Sequence, residues 1–70
     1  MDEVLERKVI KRAETYYAHN VYNSKFECVR MAIGELVSVG TLSDIFTLFD
    51  ITLDQLIESI VPKVEDYRTI

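Results

Sequence analysis

With two glycines and one proline in seventy residues, this chain has few places at which to break. Apolar residues recur every three to four positions along most of its length, which is the spacing of helices that each bury one face. No alternating pattern of strand length competes, although Val37–Val39 and Ile51–Leu53 are β-prone in isolation. The sequence therefore predicts an all-α fold: one domain over residues 1–70, built as a small bundle of four helices with a short C-terminal tail or helical turn.

The first helix is expected over about residues 2–19. At about 100° per residue, Leu5, Val9, Ile10, Ala13, Tyr16 and Tyr17 share one face, with Glu6 the one charge among them. Acidic Asp2, Glu3 and Glu6 precede basic Arg7, Lys8, Lys11 and Arg12, an order that suits the helix macrodipole. Asn20–Asn23 marks the first turn. Ser24 and Glu27 have the spacing of a capping box for a second helix, about 24–39, with Gly40 as the left-handed residue after its end. Its apolar set, from Phe26 and Cys28 through Val39, covers half the circumference, so it is expected to sit centrally between several neighbours. Thr41 and Thr52 offer N-caps for two short helices, about 41–49 and 52–61. Pro62 either ends the last of these or opens a further turn, in which Val64, Tyr67 and Ile70 would align.

Charge is unevenly distributed. The chain carries −4 overall, but residues 1–30 sum to +1 and residues 31–70 to −5. Arg7, Lys8, Lys11 and Arg12 fall opposite the apolar face of the first helix. They form either a strip for phosphate or an acidic partner, or a solvated face trimmed by Glu3–Arg7 and Lys11–Glu14 pairs.

Catalytic chemistry has little to work with. His19 is the one histidine and Cys28 the one cysteine, and Cys28 falls on the apolar arc of the second helix as a small buried thiol. Zinc needs three or four ligands, and neither a ligand-spaced motif nor a glycine-rich phosphate loop occurs. The chain is thus expected to be no enzyme and to hold no metal or cofactor. With no long apolar run and no signal-like h-region in MDEVLERKVIKR, a cytoplasmic location away from membranes is expected.

The stretch from Thr41 to Glu58 resembles part of a helix-turn-helix unit. With Asp50 at the turn, Ile45, Phe49, Ile51 and Leu56 meet its apolar pattern. Two residues depart from it: Asp50 replaces the turn glycine, and bulky Phe46 stands where a small residue packs. The helix that would enter DNA carries Asp54 and Glu58 and no cation, a repulsive face toward phosphate. The same residues are similar to the last two helices of phage-repressor-like helical domains, a resemblance implying core packing and no reading of DNA.

The apolar surplus points to function of another kind. An 8.1 kDa chain with 49% apolar residues has limited interior, and neither a disulfide nor a metal cluster is on offer to stabilise it. Self-association and docking on a second protein are the expected uses of that surplus. The sequence thus suggests a small helical regulator or adaptor, acting as a homodimer on an unknown protein partner. Arg7, Lys8, Lys11, Arg12, Tyr16, Tyr17 and Tyr22 are its candidate partner-binding residues, tyrosine and arginine being enriched at interface hot spots. The alternative is a nucleic-acid-binding regulator presenting the basic face of the first helix from each subunit. A phage, plasmid or bacterial regulatory locus would be an unsurprising home for such a chain, by base rate rather than by any residue.

Overall fold

The computed structural model describes residues 1–66 of the chain. Four α-helices follow one another, α1 (Glu3–Ala18), α2 (Lys25–Leu36), α3 (Val39–Phe49) and α4 (Leu53–Ile60), and a 3₁₀ turn spans Val61–Lys63. The all-α bundle expected from the scarcity of breakers is the fold observed.

Each helix starts at a side chain that satisfies an otherwise orphaned amide. Asp2 accepts from the Leu5 amide at 2.8 Å, Ser24 from Glu27, Ser38 from Thr41 and Thr52 from Gln55, each of the last three at 3.2 Å. Only Thr52 completes a reciprocal capping box, because the Gln55 side chain accepts the Thr52 amide at 2.9 Å. At Ser24 the box is half made. The Glu27 carboxylate pairs with Arg30 instead, at 3.2 Å.

The junction between the second and third helices differs from the sequence expectation. Helix α2 ends at Leu36, Val37 is extended, and α3 opens at Val39. Gly40 lies inside α3, and neither glycine has a positive φ. Ser38 explains the shift: its hydroxyl caps α3 and also bonds the Thr41 hydroxyl at 2.9 Å, so Thr41 becomes a helical residue rather than the cap. Among the described residues, the left-handed ones are Asn20, at φ 55°, and Asp50, at φ 51°. Both types tolerate that region through local hydrogen bonding.

Helix α2 is central, as its wide stripe implies, with α1 as its main neighbour and α4 and the 3₁₀ turn beside it. Val9 and Ala13 of α1 meet Cys28, Val29, Ala32 and Ile33 of α2 in one buried cluster. Leu56, Ile57 and Ile60 of α4 join it, with Val37 and Val64. Pro62 sits in the first turn of the 3₁₀ segment, where its missing amide costs nothing. Beyond it the chain lies along α1: Lys63 bonds Glu6, and the Glu65 amide donates to Glu14 at 2.8 Å. Glu14 is therefore engaged by the tail and not by Lys11. The aligned turn expected of Val64, Tyr67 and Ile70 falls partly outside the described residues, but Val64 is buried.

Helix α3 is the exception to this packing. It bends away from α2 by 117° and touches the other elements sparsely. Only Ile45 of its apolar arc is buried; Leu42 and Phe46 lean on the core, while Val39, Leu48 and Phe49 face water.

Candidate interaction surface

Two surfaces stand apart from the ordinary exterior, one on α1 and one at the end of α3. On α1, the seven candidate residues of the sequence reading separate into distinct settings. Arg7 pairs with Glu3 one turn earlier at 3.1 Å, and both side chains are well exposed, so the pair contributes little. Arg12 reaches across to α2 and donates to Glu35 at 2.7 Å. Tyr16 donates to the same carboxylate at 2.6 Å, with the Arg12 guanidinium 6.0 Å from its ring centre. Tyr22 meets the Tyr16 ring edge-on at 5.4 Å. These residues form a polar clasp between α1 and α2, near the rim of the core.

The clasp shifts the tyrosine's acidity. Donation to Glu35 holds the Tyr16 hydroxyl above the usual tyrosine range, and the hydrogen bond from Arg12 offsets part of that effect. Tyr17 belongs to another contact: its ring is half-buried against the core, with the Lys25 ammonium 5.6 Å from its centre. The three tyrosines are thus occupied by the fold itself, as half-buried residues packed on the core.

Lys8 and Lys11 are different. Among the described residues neither forms an ion pair. Together with Arg12, Thr15 and Leu36 they line an open groove of about 370 Å³ between α1 and the end of α2. Its floor is partly apolar through Leu36, and its rim is cationic. Of the four-cation strip read from the sequence, two arginines are engaged by carboxylates and two lysines are unengaged.

For the second surface, sequence reasoning counts residues 45–49 within the apolar surplus expected to meet a second chain but names no contact residue there. Leu48 is 77% exposed and Phe49 61% exposed at the C-terminal end of α3. Ile51 and Leu53 follow within four residues and are only partly buried. Of the four apolar positions matched to the helix-turn-helix pattern, Ile45 and Leu56 are buried but Phe49 is not. Asp50 takes the left-handed turn conformation that the pattern asks of glycine. Periodicity alone could not flag Leu48 and Phe49, because they continue the same half-circumference arc as Ile45. The available signal was the width of that arc on a short helix.

No group of three or more His, Cys, Asp or Glu side chains among the described residues is placed to hold a metal ion. Cys28 is fully buried, its sulfur 4.0 Å from the Tyr22 carbonyl oxygen. No single helix among the described residues is long and apolar enough to cross a membrane. The fold and these surfaces define a small all-α protein with a cationic groove and an exposed apolar helix end. No protein-family model, curated protein or solved structure matches the chain.

Proposed function

We propose that this chain is a small non-catalytic regulator or adaptor that works by protein–protein contact, as a homodimer in the cytoplasm. One observation carries the proposal: Leu48 and Phe49 stand in water at the end of a helix that the rest of the molecule barely covers. Large apolar side chains grouped on an exposed surface are what interfaces are made from, and aromatic residues supply much of their binding energy.

The alternative, nucleic-acid binding by the basic face of α1 in a dimer, has less support. Arg7 and Arg12 are already engaged by Glu3 and Glu35. That leaves two unengaged lysines per protomer on this face, too few for strong phosphate-driven affinity.

The test is the solution mass by light scattering after gel filtration, over a hundredfold range of concentration. The wild-type chain is expected to pass from monomer to dimer. The variant Leu48→Ser/Phe49→Ser, altered only at exposed positions, is expected to keep its helical circular dichroism and remain monomeric throughout. Equal masses for the two chains at every concentration would remove α3 from the proposal.

A further inference from the structure

The proposed dimer does not by itself say which surface of one copy receives α3 of the other, and the distribution of unengaged charge identifies it. Arg7, Arg12, Arg30 and Lys63 are each in an ion pair, and Lys25 lies over the Tyr17 ring. Lys8 and Lys11 have no carboxylate partner among the described residues, and both line the groove floored by Leu36. Among the acids, Asp2 and Glu14 accept backbone amides, whereas Asp44, Asp50, Asp54, Glu58 and Glu65 enter none of the ion pairs of the described residues. The whole stretch from residue 31 to 62 contains no lysine or arginine.

Two of these acids bracket the apolar end of α3. Asp44 lies one helical turn before Leu48, and Asp50 follows Phe49 directly. The last turn of α3 carries no basic residue, so its terminal carbonyls add partial negative charge at the same end. Two such ends placed face to face would oppose like charges with no cation between them, an arrangement that disfavours pairing. Set on the α1 groove of another copy, Asp44 and Asp50 would be offered the Lys8 and Lys11 ammoniums, and the apolar end would be offered Leu36.

Resting on the homodimer reading above, we infer that the α3 end of one copy docks on the Lys8, Lys11 and Leu36 groove of a second copy. The closed dimer makes this contact twice, related by a twofold axis. Size requires the repetition. A stable interface covers roughly 800 Å² per partner, whereas a phenylalanine contributes at most about 150–250 Å². A single α3 end therefore falls short, and two reciprocal contacts bring the area toward the lower end of the stable range.

Sedimentation equilibrium of the full chain tests this with two charge variants, Lys8→Glu/Lys11→Glu and Asp44→Lys/Asp50→Asn. All four positions are exposed, and asparagine keeps the left-handed turn at position 50. Each variant alone is expected to dissociate at least tenfold more readily than wild type. The Asp44→Lys/Asp50→Asn result is the more telling, because that variant lowers the net negative charge and would associate better if only general repulsion mattered. An equimolar mixture of the two is expected to recover wild-type affinity within about threefold, since the ammonium introduced at position 44 then faces the carboxylates introduced at positions 8 and 11. Wild-type association of Lys8→Glu/Lys11→Glu, or a mixture no tighter than its components, would overturn the docking mode. If Leu48→Ser/Phe49→Ser still abolished the dimer, the broader interaction reading would survive that result. A wild-type chain monomeric at every concentration would end both.

Discussion

Tyr16 shows how a residue chosen as a contact candidate can be claimed by the fold. Its ring packs on the core and meets Tyr22, and its hydroxyl donates to Glu35 nineteen positions away. The Arg12 guanidinium donates to the same carboxylate. Neither partnership has a local spacing, so neither was legible in the sequence, whereas the Glu3–Arg7 pair, one turn apart, was. Because donation to Glu35 raises the Tyr16 pKa above its ordinary value, the folded state holds that proton longer than the unfolded chain. The associated stabilisation is complete at neutral pH and is lost as pH rises through the raised pKa, in the alkaline region above the usual tyrosine range. Ultraviolet titration of tyrosinate is expected to lose an ionisation from its high-pH end in Tyr16→Phe. An unchanged high-pH end in that variant would show that the bond to Glu35 is not kept in solution.

Among the elements, the helix starts divide into those the sequence declares and one it disguises. Ser24 and Thr52 stand before their helices at the spacing of a cap, and they cap. Between α2 and α3 the signals conflict. Gly40 reads as the residue after a helix and Thr41 as the next cap, yet Ser38 supplies the cap earlier in the chain. Serine ranks above threonine as a cap, so the start at Ser38 keeps a capped end while adding residues 39–41 to the helix, and a Cβ at Gly40 would meet nothing within 4 Å. The other end of α3 was better marked. Asp50 falls at the expected turn and adopts the left-handed conformation, at φ 51°. Asp50→Gly is therefore expected to raise unfolding stability by about 0.5–1 kcal/mol in denaturant melts, by removing the Cβ penalty of that region. A loss of stability would mean that the Asp50 side chain contributes more to the turn than its backbone strain costs.

At the scale of the whole molecule, the accessible surface is 4692 Å², close to the roughly 4,500 Å² that scaling gives for a compact monomer of this mass. The total surface of the chain is thus ordinary for its mass. Its excess lies in distribution. Helices α1, α2 and α4 close over the shared core, while α3 keeps its apolar end outside. The core was readable from apolar arcs, since Val9, Ala13, Cys28, Val29, Ala32 and Ile33 all fall on the predicted faces. Which arc would be left uncovered was not, because that depends on the 117° bend after α2 rather than on any pattern within α3. In the proposed dimer, the end of α3 that is open in the single chain becomes covered when two chains meet. Native-state hydrogen exchange at two protein concentrations, below and above the association midpoint, reads that directly. The amides of Ile45 to Phe49 are expected to exchange faster than those of Val29 to Ile33 in the dilute sample and to slow in the concentrated one. Exchange in α3 that matches α2 when dilute and does not change with concentration would contradict both the open end and its covering.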